Sequence, residues 1–207
     1  DSRMVRGRPD SKKTPRRSPI SREEGERRLI TAATTLLQSG PFSAVSVRDL
    51  AAAADVHQSY IHTWFGSQNG LYIRVLQEIS AKLVDDLDNR RTEGIPIDPN
   101  DPVARFAVRL LFWLDLEGCD LTEMKPILEI LTRAHARRLI ELAGIDAEVA
   151  AEISQSGVAT FLGLSAFGHL LGTDPEQVHK SAMSWLKLVG TSTANSPVNE
   201  NPKTGAN

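Results

Sequence analysis

The sequence has one cysteine, no apolar run near the roughly 20 residues a bilayer needs, and no stretch of the two-residue alternation of a half-buried strand. Each absence removes a class of answer. A lone Cys119 cannot close an intramolecular disulfide or supply a cysteine-rich zinc site, which leaves it a small apolar residue or a redox-sensing thiol. The missing apolar run argues against a membrane span, and the missing alternation argues for an all-α fold. No nucleophile paired with a base, no metal cluster and no phosphate-binding glycine loop can be picked out, so the expectation is a chain that is not an enzyme, with no metal and no cofactor. The basic, polar N-terminus has no apolar core behind its charges, so a cytoplasmic location is expected.

What is present is enough for a folded protein. In 207 residues, 41% hydrophobic side chains can bury a sizeable core. The net charge of −2 hides a polarised chain: residues 1–22 sum to +6, leaving −8 for the remainder. A basic arm on an acidic body suggests that one end meets a polyanion while the other does not.

The first twenty residues are rich in Arg, Lys, Pro and Ser, and read as a flexible arm. Structure is expected from Ser21, where Ser21-Arg22-Glu23-Glu24 fits a capping box and Leu29, Ile30, Ala33, Leu36 and Leu37 form a helical stripe ended by Gly40-Pro41. A second capping box, Ser46 to Asp49, opens a short helix with Val47, Leu50, Ala51 and Ala54 facing inward. A third helix should carry His57 to Trp64, and a longer one follows Gly66-Ser67 with Leu71, Val75, Leu76, Ile79, Leu83 and Leu87 as its apolar side. Three prolines break the chain at 94–102. Helices resume at about 102–117, 125–143, 146–171 and 174–189, with Pro102, Pro126 and Pro175 near first turns and a short turn over 119–124. The tail from 191 to 207 reads as disordered.

Three short helices between residues 21 and 65, the last two nearly adjacent, have the dimensions of a helix-turn-helix. Its third helix would offer side chains to base edges in the major groove. Val56, Ile61 and Phe65 can hold that helix down, which leaves His57, Gln58, Ser59, Tyr60, His62 and Thr63 pointing elsewhere. Gly40-Pro41-Phe42, Ser46-Val47-Arg48-Asp49-Leu50-Ala51, Ala54-Asp55-Val56, Ile61, Trp64-Phe65-Gly66-Ser67 and Leu71 together resemble the DNA-binding signature of the tetracycline repressor (TetR) family.

That resemblance implies an N-terminal DNA-binding domain over 21–66 and a helical-bundle domain over 67–190 for ligand binding and dimerisation. It implies a sequence-specific transcriptional regulator, a repressor released from its operator by a small molecule, acting as a homodimer on a palindrome-like duplex. A ligand-responsive activator, or a protein-interaction module with weakened DNA binding, are the alternatives. By position, Arg48 would reach bases or phosphates, Gln58, Ser59 and Tyr60 would face the major groove, and His62 stands where the family has a phosphate-bonding tyrosine. His57, Thr63 and Gln68 complete the expected DNA-facing set.

Three departures bear on this reading. Asp55 replaces a turn glycine, His57 replaces the Ser or Thr cap of the third helix, and Gln68-Asn69 replace a lysine and an acidic residue, removing a phosphate contact. The cap replacement is expected to weaken the helix start by about 1 kcal/mol. Arg6-Gly7-Arg8-Pro9 is similar to the core of an AT-hook, so Arg6 and Arg8 could lie along a minor groove; a solvated basic tail or another nucleic-acid contact are the other readings.

In the second half, Phe106, Leu110, Phe112, Trp113, Met124, Ile127, Leu131, His135, Phe161, Leu164 and Phe167 could line an effector cavity or simply be core. The small-residue segment Gly157–Gly168 suggests close helix approach. With the next helix it resembles the family's dimerisation pair, implying an interface from Phe161, Ser165, His169, Val178, Ala182, Trp185 and Val189.

Overall fold

The computed structural model describes residues 20–89, 101–172, 174, 176–177, 180 and 184, with side chains throughout except at 86–89, 142 and 143. Among the described residues there are seven α-helices, two 3-10 turns and no strand. The helices are α1 (Arg22–Ser39), α2 (Val47–Ala54), α3 (Ser59–Phe65), α4 (Gln68–Asn89), α5 (Pro102–Leu116), α6 (Lys125–Ala143) and α7 (Ala147–Leu171); the 3-10 turns are Phe42–Ala44 and Thr122–Met124. The basic arm, most of the proline-rich break, Leu87's side chain, most of the expected last helix and the tail lie outside the described residues. None of the described helices is long and apolar enough to cross a membrane.

The helix boundaries follow from side chains that satisfy free backbone donors. Ser21 Oγ accepts the Glu24 N–H of α1 at 3.2 Å. The reciprocal half of the expected capping box is absent, because the Glu24 carboxylate instead takes Arg27 Nη2 at 2.6 Å and Arg28 Nε at 2.8 Å. Those guanidiniums hold Glu24 below the usual carboxylate range. At α2 the box is complete: Ser46 Oγ accepts from the Asp49 N–H, and Asp49 Oδ2 accepts from the Ser46 N–H, both at 3.2 Å. Asp101 Oδ1 caps α5 through the N–H groups of Val103 and Ala104, with Pro102 in the first turn. Asp146 Oδ1 caps α7 through Glu148 N–H at 2.9 Å.

The turn after α2 survives its missing glycine. Asp55 takes the left-handed conformation at φ 53°, and the Asp55 and Val56 N–H groups close onto the carbonyls of Ala52 and Ala51. A short acidic side chain tolerates that region better than most.

The larger of two apolar clusters runs through both halves. Leu29 and Leu37 of α1, Leu50 of α2, Ile61 of α3, Leu71 and Leu76 of α4, and Leu110 and Leu114 of α5 share one cluster, each essentially solvent-free. Burying one such side chain contributes about 1.5–3 kcal/mol. Aromatic contacts tie the head, the three-helix segment α1–α3, and α4 to α5: Phe42 meets Phe106 and Trp113 edge-on with centroids 6.0 and 5.9 Å apart, and Tyr72 lies 5.8 Å from Trp113. A smaller cluster, Leu139, Ile145 and Ala150, packs the corner between α6 and α7.

Candidate nucleic-acid interface and effector cavity

The third helix is short and is held from beneath. Ile61 is fully buried, with Val56 and Phe65 packed beside it. A contact the sequence did not disclose adds to this: the Trp64 indole lies on Gly25 of α1, so closely that a Cβ there would collide with the ring carbons. Tyr60 stacks flat on Trp64 with centroids 4.3 Å apart and 8° between planes, which leaves its ring half-buried and fixed in direction.

The opposite side of the head is polar and open. Gln58, Ser59, His62 and Thr63 are exposed, as is Arg48 in the first turn of α2. Arg22, Arg27 and Arg28 of α1 are paired with Glu26 or Glu24, whereas Arg48 has no ion-pair partner among the described residues. Its guanidinium is therefore available to an outside anion.

His57 and Gln68 depart from their expected roles. α3 begins at Ser59 rather than His57, and the His57 imidazole does the capping work it was expected to lack: Nδ1 accepts from the Ser59 N–H at 3.3 Å and stands 2.7 Å from Ser59 Oγ. Gln68, expected to face DNA, is instead turned inward. Its Nε2 donates to the Val45 carbonyl and to the Tyr72 hydroxyl, both at 2.6 Å. Tyr72 is fully buried, and burial raises its phenol above the usual value. Gln68 thus pins the chain just ahead of α2 to the first turn of α4, with its amide nitrogen engaged inside the chain. Arg6 and Arg8 lie outside the described residues.

In the second half, α4, α5, α6 and α7 surround a cavity of about 40 Å³. α4 contributes Leu76, Ser80 and Leu83; α5 contributes Ala104, Ala107, Val108 and Leu111. Met124, Ile127, Leu128 and Leu131 form the α6 side, and Phe161 and Leu162 close it from α7. Of the residues expected at an effector cavity, Met124, Ile127, Leu131 and Phe161 are there. Phe106, Leu110 and Trp113 are not, because they belong to the opposite stripe of α5, packed into the core with the head. Leu164 and His135 are also absent from the lining. The His135 ring lies on Gly157 of α7, with Nδ1 3.2 Å from Ser154 Oγ, whose own proton goes to the Ala150 carbonyl. Burial pushes its pKa down. The residues missed, Leu76, Ser80, Leu83, Ala104, Ala107, Val108, Leu111, Leu128 and Leu162, are mostly aliphatic; the i, i+3, i+4, i+7 spacing of 104, 107, 108 and 111 was the available signal.

The expected dimer surface also changes. Ser165 is fully buried within the chain, and the half-buried Phe161 lines the cavity. His169 is exposed, and the apolar side chains facing outward on α7 are Phe167, Leu170 and Leu171, at 51%, 73% and 69% exposure. Val178, Ala182, Trp185 and Val189 lie outside the described residues.

Comparison with known proteins agrees with this architecture. The sequence model described as "Bacterial regulatory proteins, tetR family" matches residues 29–75, spanning most of the head and the start of α4. No curated protein matches the chain in sequence. The fold is similar to that of the TetR family repressor AlkX from Dietzia sp., with TM-score 0.51 and 21% identity over 81% of this chain and 95% of that one. It is also similar to a structural-genomics protein from Rhodococcus sp., with TM-score 0.56 and 18% identity over 78% and 93%, and to a TetR transcriptional regulator from Legionella pneumophila, with TM-score 0.50 and 17% identity over 80% and 95%. Residues 29–75 thus match the tetR family of bacterial regulatory proteins in sequence, and most of the chain's length is similar in fold to these structures.

Proposed function

We propose that this protein is a sequence-specific transcriptional repressor that binds operator DNA as a two-fold homodimer and leaves it when a small molecule enters the cavity between α4 and α7. The observation that carries the DNA half is the open polar face at α3, with Gln58, Ser59, His62 and Thr63 exposed beside an exposed Arg48 that has no salt bridge among the described residues, on a helix whose other side is locked by Ile61 and Trp64. A rigid element offering hydrogen-bonding groups fits the major groove, where glutamine can pair with adenine at two points and arginine with guanine or phosphate. Two copies would set their third helices one duplex turn apart, roughly 34–36 Å, and read a palindrome-like site. The outward apolar side chains Phe167, Leu170 and Leu171 favour burial against a second copy.

Selection of bound sequences from a random duplex pool tests this directly. A palindrome-like consensus is expected, and alanine at both Gln58 and Tyr60 should reduce discrimination between that consensus and random duplex by about tenfold or more, at about 1–3 kcal/mol for each good base contact. A double variant that is folded and still discriminates as well as the parent would refute the assignment of α3 as the reader.

A further inference from the structure

We propose that the effector is an uncharged, mainly apolar molecule carrying a single hydroxyl or carbonyl group, which meets Ser80. None of the side chains lining the cavity carries a charge, and Ser80 is the polar one among them. It is 8% exposed, and its hydroxyl has no hydrogen-bond partner among the described residues. A carboxylate or ammonium group entering here would surrender its hydration with no counter-ion to receive it, whereas one neutral donor or acceptor can be satisfied by Ser80.

Size narrows the class further. A cavity of about 40 Å³ is far below the roughly 300–1,000 Å³ of a pocket for a drug-sized ligand, so the occupant must open its own space. Met124 and the surrounding leucines can change rotamer, and Ala104 and Ala107 keep the α5 wall thin, which favours a slender body. Its entry would press on Ser80 of α4, the helix whose first turn holds Val45 through Gln68. This deepens the repressor reading by naming the chemistry of its effector, and depends on that reading for the link to DNA alone.

The probes are 1-octanol, n-octane, octanoate and octylammonium, added to the full chain and followed by calorimetric titration and thermal melting. Octanol is expected to bind and raise Tm, with both ions at least about tenfold weaker. Ser80→Ala should abolish the preference for octanol over octane, and Ala107→Phe should block both. If Ala107→Phe does not fold, the four-probe series on the parent protein and on Ser80→Ala decides. Equal or tighter binding of either ion, no binding of any probe, or an octanol preference unchanged in Ser80→Ala overturns the proposal. Operator binding is measured separately: octanol binding without any operator binding refutes the repressor reading and leaves the cavity chemistry standing, while operator binding without octanol binding does the reverse.

Discussion

At the residue scale, two side chains decide how the reading head is held, and both are testable. Gly25 exists because Trp64 lies on it. Gly25→Ala should cost about 1–3 kcal/mol by overpacking, seen as a lower denaturant midpoint with unchanged m. It should also weaken operator binding, since the displaced indole carries Tyr60 with it. Gln68 joins the Val45 carbonyl to the buried Tyr72 hydroxyl. Gln68→Met keeps the volume but leaves both acceptors without their donor, so a loss of about 1–3 kcal/mol is expected in chemical denaturation. The slope of log affinity against log salt is expected to stay that of the parent, because the Gln68 amide nitrogen is engaged inside the chain; a changed slope would restore its place at the DNA. Neither contact could be read from the sequence. Trp64 meets Gly25 across 39 positions of chain, and Gln68 stands where the family has a lysine, so spacing alone placed it outward.

The helices themselves were far more legible. α5, α6 and α7 begin and end close to where the prolines and the apolar pattern predicted, and the structure adds capping aspartates at α5 and α7, because such signals act within one turn. Faces were legible only where a helix has a polar side. α5 carries two apolar stripes, one into the core and one onto the cavity, and choosing the aromatic stripe put Phe106 and Trp113 on the wrong one. α7 has too few polar side chains to show which face points outward, hence the misplacement of Ser165. The contact between these last helices also brings a pH dependence. His135 packs half-buried against Gly157, and burial holds its pKa below its ordinary 6.5, so the unfolded chain takes up a proton first as pH falls. Stability contributed by this site is therefore present above that value and declines as pH drops below it. Tm is expected to fall more steeply between neutral pH and pH about 5 for the parent than for His135→Gln. Identical profiles for the two would dismiss the effect.

For the molecule as a whole, charge is polarised: residues 1–22, the arm and the first residue of α1, sum to +6 and the remainder to −8. Each phosphate the arm neutralises steepens the salt dependence of binding by roughly 0.9 in log–log slope. Deleting residues 1–20 is expected to flatten that slope by about 1–2 while leaving the selected consensus unchanged, as measured by titration of operator duplex over a range of salt. A slope unaffected by the deletion would mean that the arm is a solvated tail.

The sequence by itself determined that the described residues are all-helical, where most of those helices start and stop, and that residues 21–66 carry a helix-turn-helix resembling that of the tetR family. Capping, proline placement and apolar period are interactions among near neighbours, and they are written in consecutive residues. Tertiary structure alone decided that head and bundle share one core, that Gln68 turns inward, that His57 finds the Ser59 N–H, and which stripe of α5 walls the cavity. Those outcomes depend on which helix lies opposite, and a helix with two apolar faces can satisfy the hydrophobic effect in more than one orientation until its neighbours are in place.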